Sequence, residues 1–305
     1  MGKIAVVFSG QGAQYSGMGK ELAECSKAAA EVFQMADRLR PGTSKQCFEG
    51  SKEELQQTEN TQPCLFSVGY AAAAALAEKG IKANCTAGFS AGEIAALAYG
   101  GYLSVEDAFG FVKRRALAMQ ESNKKNPGTM FAVLGLDRDQ VIALCSTGKG
   151  WYPVNFNNAT QVSVACTAES AEEFPSAVIA AGGKPIKLAV GAGFHSPLMN
   201  EARKQLEEEF SGLAFTVSST PVYSNLTAEP YEGLAQLFQQ INSPVLWHPL
   251  IQNMSRDGVD TFIEAGPGKT LSNMIAKILP EARILNVEDR ESLEKTVEVL
   301  QHAEK

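Results

Sequence analysis

Gly88-Phe89-Ser90-Ala91-Gly92 is a G-x-S-x-G pentapeptide, and an apolar, Ala-rich helical stretch from Ile94 to Ala98 follows directly behind it. This is the pattern of a nucleophile elbow, a sharp strand-to-helix turn that lifts a serine Oγ clear of a sheet. Glycine is needed two residues to either side because a Cβ there would collide with the neighbouring strand or helix. The helix behind the turn aims its positive end at an oxyanion formed on the serine. The same letters occur in ordinary glycine-rich turns, so the pentapeptide gains weight only from the residues that accompany it.

A serine alcohol attacks a carbonyl only when a base takes its proton, and histidine, titrating near neutral pH, suits that task. Three histidines are available. His302, among Gln301, Glu304 and Lys305, reads as a solvated tail residue. His248, between Trp247 and Pro249, reads as packed or superficial. His195 follows Gly191-Ala192-Gly193-Phe194 and precedes Ser196-Pro197, at a hinge between two differently textured parts of the chain, where clefts form. It is the favoured base. The order Ser, acid, His would need an aspartate between the two, yet Asp137 and Asp139 stand at a helix start, where they serve as caps. A Ser-His dyad is therefore expected in place of a triad.

Two glycine motifs fail as nucleotide sites. Gly10-Gln11-Gly12 would need glycine at Tyr15 to complete G-x-G-x-x-G, and Gly268-Lys269-Thr270 would need glycine at Ile263 to complete a phosphate loop. Gln11, just past a strand, is then free to present its main-chain N–H beside Ser90 and to form an oxyanion hole with the N–H of Ala91, although a plain glycine turn fits the loop equally well. The helix from Val105 carries Lys113-Arg114-Arg115. At ~100° per residue, Arg114 points away from the Val105/Phe109/Val112/Ala116/Met119 face, and Arg115 lies about 80° from its centre. Arg115 can lay its stem along that face and hold a carboxylate by two parallel bonds. Lys113 has the same freedom on the other flank, and a surface ion pair is the simpler reading of the spacing.

The 305 residues are 45% hydrophobic and 20% charged with a net charge of -7, which implies a substantial core in one large domain or a large domain plus a small one. That charge excludes a surface built throughout for nucleic acid, while leaving room for a local basic patch. Six widely spaced cysteines without a C-x-x-C pair support neither a zinc cluster nor a disulfide framework, so no metal is expected and a reducing cytoplasm fits. No apolar run reaches the length of a membrane span, and the strand-like Ile4 to Phe8 opens the chain without a secretory segment. The sequons at Asn158 and Asn225 are accordingly read as inert.

Strand and helix alternate through the first part: a strand at Ile4 to Phe8, a long helix with Pro63 in its first turn and Gly80 at its end, a strand ending at Phe89, and a helix capped by Ser104 that runs to about Glu121. From Asn126 to about Val190 the order is strand (Thr129 to Leu134), helix (Arg138 to Cys145), strand (Tyr152 to Phe156), strand (Gln161 to Ala165), helix (Glu169 to Ala181) and strand (Lys184 to Val190). This is the βαββαβ plan of a ferredoxin-like unit. Residues 127–191 are thus expected to form a small subdomain inserted into a large α/β domain made of 1–126 and 192–305. A charged helix (Leu198 to Phe210), strands near Pro221 to Ser224 and Thr261 to Glu264, and a polar C-terminal helix complete the reading.

Phe8-Ser9-Gly10-Gln11-Gly12-Ala13-Gln14, Thr61-Gln62-Pro63, Gly88 to Glu93, Arg115 with Gln120, Val154-Asn155-Phe156-Asn157, Gly193 to Pro197 and Glu264 to Lys269 together resemble, in order and over nearly the whole chain, the malonyl-CoA:acyl-carrier-protein transacylases and polyketide acyltransferases. The resemblance implies an α/β-hydrolase-like core with a short parallel sheet and a ferredoxin-like insert. It implies an enzyme that passes a malonyl group from malonyl-CoA to the phosphopantetheine thiol of an acyl carrier protein, with Ser90 acylated and His195 as base. Arg115 would clamp the malonyl carboxylate, and the N–H groups of Gln11 and Ala91 would hold the oxyanion. Gln62, Phe194 and Asn157 would line the pocket, and the carbonyl of Leu246 would orient the histidine. No cofactor beyond the two substrates, no nucleic-acid or membrane partner, and a cytoplasmic monomer serving fatty acid synthesis are expected. Phe89 and Ala91 depart from the family's common G-H-S-x-G-E form, but Ala91 contributes only its backbone. A serine esterase, a polyketide acyltransferase acting in trans and a non-catalytic carrier-binding module are the rival readings, and Lys184, Lys187 and Arg203 are candidates for a carrier-binding patch.

Overall fold

Ile4 to Phe8 can only be a strand buried on both faces: five successive residues are inside, a run that a half-exposed strand or surface helix would have to interrupt. The computed structural model describes residues 2–303 and builds outward from that strand. From the N-terminus, β1 (Lys3–Phe8) is followed by α1 (Lys20–Cys25), α2 (Lys27–Leu39), α3 (Thr43–Glu49), α4 (Lys52–Gln56) and α5 (Thr58–Glu78), then β2 (Cys85–Gly88), α6 (Gly92–Tyr99) and α7 (Val105–Lys125). The middle of the chain forms β3 (Gly128–Leu134), α8 (Arg138–Thr147), β4 (Trp151–Asn158), β5 (Gln161–Thr167), α9 (Phe174–Ala180) and β6 (Lys184–Lys187). Beyond it come α10 (Asn200–Glu209), β7 (Val222–Tyr223), α11 (Ala235–Gln239), α12 (Trp247–Arg256), β8 (Val259–Ala265), α13 (Thr270–Ile278), β9 (Arg283–Val287) and α14 (Arg290–Ala303).

The fold is mixed α/β with two separate sheets. The larger has five strands in the order β7-β2-β1-β8-β9, and every neighbouring pair is parallel. The smaller has four strands in the order β4-β5-β3-β6, and every pair is antiparallel. Helices cover both faces of the parallel sheet, so its strands pack in two clusters, one around Val6 and Phe8 and the other around Ala5 and Val7. The smaller sheet is tied through β4 to the segment leading into α12: Phe156 N–H donates to the Val245 carbonyl at 3.0 Å, and Val245 N–H to the Val154 carbonyl at 2.8 Å.

Several expected boundaries move. The helix α5 starts at Thr58, so Pro63 lies inside it and not in its first turn; the proline leaves the Glu59 carbonyl without its usual i+4 donor. Gly80 follows the helix in the left-handed region at φ 82°, the conformation that ends helices most cheaply with glycine. The helix α9 begins only at Phe174, behind a turn, and β6 stops at Lys187, leaving Leu188 to Val190 as a loop beside the site. The strand β9 escapes the pattern reading because it lies at a sheet edge with three successive half-buried residues, which gives neither a continuous apolar run nor clean alternation.

Candidate active site

In a parallel sheet all strands end on one edge, and chain segments leaving that edge converge. The register makes the convergence specific: Phe8 of β1 is level with Gly88 of β2, and Ala87 is level with Tyr223 of β7. Chains leaving these strands therefore deliver Gln11, Ser90 and Asn225 to one place. Ser90 sits at φ 54°, in the left-handed region that costs a non-glycine residue energy, and His195 does the same at φ 60°.

The elbow glycines are needed for space. A Cβ on Gly88 would lie 2.1 Å from the carbonyl carbon of Gly92, and one on Gly92 would lie 2.2 Å from the Phe8 carbonyl oxygen. Gly88→Ala is expected to destabilise the protein by about 3 kcal/mol, measured as a lowered denaturation midpoint. Gly110→Ala, in the middle of α7 where an added Cβ meets nothing within 4 Å, should instead stabilise by about 0.5–1 kcal/mol through helix propensity. Similar shifts for the two would show that the elbow is not as tight as this packing requires.

Ser90 Oγ lies 2.6 Å from His195 Nε2, and His195 Nδ1 lies 3.0 Å from the Gln240 carbonyl. A carbonyl only accepts, so Nδ1 must carry the proton. Nε2 is then a lone pair aimed at the serine hydroxyl, which donates to it, as a general base requires. The orienting carbonyl is that of Gln240, and the expectation for Leu246 is corrected: Leu246 caps α12, and its carbonyl accepts the N–H of Leu250 at 3.0 Å. The useful carbonyl lies in the short 3-10 turn Gln240–Asn242, six residues upstream, a position that spacing along the chain does not reveal.

Arg115 is 1% exposed, which overturns the surface ion pair as its reading. It donates from Nη1 to Gln62 Oε1 at 2.8 Å, and from Nη2 to Gln240 Oε1 at 3.1 Å and Ser90 Oγ at 3.3 Å, while Nε has no partner among the described residues. These acceptors are all neutral. Arg114 faces outward to a paired Glu209, and Lys113 donates to the Leu39 carbonyl, so α7 presents a single cation to the serine among these three. Burial lowers the Arg115 guanidinium to about 10 in spite of the nearby Glu93 and Tyr231, and it stays charged at neutral pH. Burial and, secondarily, the Arg115 charge push His195 down to about 3, against its hydrogen bonds to the backbone at Gln240 and Ser243. The imidazole is therefore neutral and able to accept a proton throughout the physiological range.

Gln11 lies in the loop after β1, between two cavities. One, of about 180 Å³, is lined by Gln11, Phe89, Asn157 and Leu188; the other, of about 330 Å³, by Gln11, Tyr15, Lys52, Leu55 and Val190. Asn157 is buried at the first of these, and its Oδ1 has no partner among the described residues. Ala91, 3% exposed, follows the nucleophile at the start of α6. Phe194 is 8% exposed beside His195 and packs into the main core cluster. The loop carrying Gln11 is anchored by Glu264, which accepts from Ser9 Oγ and from the N–H groups of Leu271 and Ser272. That carboxylate occupies the start of α13, where a phosphate would otherwise sit, in agreement with the exclusion of a nucleotide loop.

The serine, histidine and buried cation form one hydrogen-bonded unit, and Phe89, next to the serine, lines the smaller of the two cavities, an arrangement suited to making and breaking acyl esters. A model of the acyl transferase domain matches residues 5–296. The chain belongs to this acyl transferase family. The malonyl CoA-acyl carrier protein transacylase of Bacillus subtilis (strain 168) is 36% identical over 310 residues, covering 98% of each chain, and that of Haemophilus influenzae is 32% identical over 98% of this chain and all of its own. A crystal structure of the transacylase from Clostridium perfringens superposes with a TM-score of 0.95 at 35% identity, over 99% of this chain and 98% of the other. A malonyl-transacylase in complex with a type II polyketide acyl-carrier protein superposes with a TM-score of 0.92 at 31% identity, over 97% of this chain and 99% of the other.

Three buried groups of this acyltransferase's site carried no role in the sequence reading. Gln240 touches base, nucleophile and cation at once. Glu93, fully buried at the start of α6, is raised to about 8 by burial, against the pull of the Asn225 N–H, Tyr231 and Arg115. Asn225, read as an inert sequon, is 0% exposed. Their signal was available in part: a glutamate in the otherwise apolar helix Gly92–Tyr99 is a polar group that burial must satisfy. The remaining histidines stand apart from this unit: His248 is half-buried near Arg138, and His302 is exposed on α14.

Proposed function

We propose that this acyltransferase moves a malonyl group from malonyl-CoA to the phosphopantetheine thiol of an acyl carrier protein by a ping-pong route through a malonyl ester on Ser90. The observation that carries the reading is the Arg115 guanidinium, buried, bonded only to neutral acceptors and 3.3 Å from the nucleophile. A buried cation favours an acyl group that brings its own carboxylate, and the planar fork of arginine matches that carboxylate with two bonds. His195 takes the Ser90 proton as Oγ attacks the thioester carbonyl. The oxyanion is held by the N–H groups of Gln11 and Ala91, each contributing about 3 kcal/mol. His195 then returns the proton to the leaving CoA thiolate, and the carrier thiol reverses the sequence.

The reading assigns residues 1–126 and 192–305 to an α/β-hydrolase-like catalytic unit and 127–191 to a ferredoxin-like one, supported by the parallel and antiparallel sheets and by the strand order of the smaller. Gln62 holds the arginine, Asn157 and Phe194 wall the pocket, and Phe194 limits substituents on the acyl α-carbon. The chemistry is complete without a metal or cofactor. We take the protein to work as a cytoplasmic monomer; no helix among the described residues is long and apolar enough to cross a membrane. An acidic carrier would be drawn to Lys184 and Lys187, exposed on β6 next to the Leu188 to Val190 loop, whereas Arg203 already faces Glu207 on α10.

Incubation with malonyl-CoA and intact-mass measurement should reveal one malonyl group on the Ser90 peptide, discharged on addition of a phosphopantetheinylated carrier protein. Hydrolysis of simple esters without transfer would establish the esterase instead, and absence of any adduct would leave only a carrier-binding module. The polyketide-bound relative favours a second reading within the same chemistry, service to a polyketide carrier. Discharge rates to fatty-acid and polyketide carriers, measured side by side, separate the two.

A further inference from the structure

Where β2 and β7 part, the ladder does not stop. Their last paired residues are Ala87 and Tyr223, and two residues further on a side chain takes over from the backbone. Asn225 Oδ1 accepts the Ser90 N–H at 2.8 Å, and Asn225 Nδ2 donates to the Gly88 carbonyl at 2.6 Å. A carboxamide has the same donor-acceptor pair as a peptide unit, so one side chain spans the strained turn from the first glycine of the elbow to the nucleophile itself. We infer that Asn225 is a positioning residue for the nucleophile, holding Ser90 in its left-handed conformation from both sides.

The rest of the residue is fixed to match. Its own N–H donates to Glu93 Oε1 at 2.5 Å, its carbonyl accepts the Leu246 N–H at 2.8 Å, and it is fully buried. The other main-chain group of Ser90 is held likewise: Gln240 Nε2 donates to the Ser90 carbonyl at 2.9 Å. Both polar groups of the nucleophile's backbone are thus bonded by side-chain carboxamides from outside the elbow. The Asn225 bond also takes the Ser90 N–H out of the amides that could serve an oxyanion, and leaves the proposed pair, Ala91 and Gln11, untouched. Strain at a catalytic residue persists only when its surroundings over-determine it, and Asn225 is the contact that supplies this.

The inference rests on Ser90 being the acylated residue, and the experiment keeps the two apart. Wild type, Asn225→Ala and Asn225→Asp are each mixed with saturating malonyl-CoA, and adduct formation is followed by quenched intact mass, with CoA affinity and thermal midpoint measured alongside. Asn225→Asp keeps the acceptor for the Ser90 N–H and loses the donor to Gly88. Expected is a fall in the acylation rate of about a hundredfold for alanine and a smaller fall for aspartate, with CoA affinity within twofold of wild type. Acylation within threefold of wild type in either folded variant overturns the inference, as does a loss matched by an equal loss of CoA affinity. Amide hydrogen exchange in the wild type decides if neither variant folds: a Ser90 N–H that exchanges as fast as a loop amide refutes the clamp, and strong protection supports it. No adduct on the wild type would instead remove the proposed function.

Discussion

Ser90→Ala is expected to form no malonyl adduct and to lower carrier malonylation by about 10⁴- to 10⁶-fold, the loss seen when a nucleophile that works as a unit with its base is removed. The fold should survive, because Ser90 is only half-buried and its N–H and carbonyl, held by Asn225 and Gln240, keep their partners in the variant. His195→Ala should approach the same rate without adding to the loss in the double variant, since one takes the proton the other gives. A double variant much slower than either single would mean that the histidine works on something other than Ser90. A Ser90→Ala protein that still acquires a malonyl group would place the nucleophile elsewhere.

Arg115→Ala should separate substrates more than any other change. The proposed clamp would pair a desolvated cation with the malonyl carboxylate, and truncating one member of such a pair costs about 2–5 kcal/mol, roughly 30- to 4,000-fold in kcat/KM. An acetyl group has no carboxylate to lose, so acetyl transfer should fall little or rise. Alanine also leaves the Gln62 and Gln240 oxygens short of a donor, so stability will drop; Arg115→Lys keeps the charge and should recover part of the preference. Equal losses for malonyl and acetyl would rule out the clamp.

A pH signature accompanies that variant. As the proposed base, His195 would work only when neutral, so acylation is expected above its pKa and lost as pH falls through it. The Arg115 charge is one of the two causes holding the imidazole near 3, and removing it moves the pKa upward. The acid limb of residual acetyl transfer in Arg115→Ala should therefore lie at higher pH than in wild type. A malonyl carboxylate seated on the arginine would act in the same direction, making the base stronger once the right acyl group is bound.

Much of this site was legible before any coordinates. The elbow, the preference for His195 over two other histidines, and the failure of both nucleotide motifs follow from residue types and short spacings. Each of those signals is local: glycine two residues either side of a serine reports a steric need, and a histidine in a glycine-rich hinge reports a place in a cleft. The alternation of strand and helix, and the change of texture after Asn126, likewise come from periodicities within one element.

Tertiary structure decided what depends on groups far apart in sequence. Arg115 could be read along the helix as a surface cation or a clamp, because angular position fixes a face and not what covers it; burial against Gln62 and Gln240 excluded the surface reading. The orienting carbonyl went to Gln240 and not Leu246, since any residue has a carbonyl and only the folded path of residues 240–246 determines which one faces Nδ1. Asn225 looked like an idle sequon until the register of β7 against β2 carried it to the elbow. Sequence thus determined which side chains have the chemistry. The meeting of strand ends at one edge of a parallel sheet determined which of them act together, because that meeting is set by long-range pairing that no local pattern encodes.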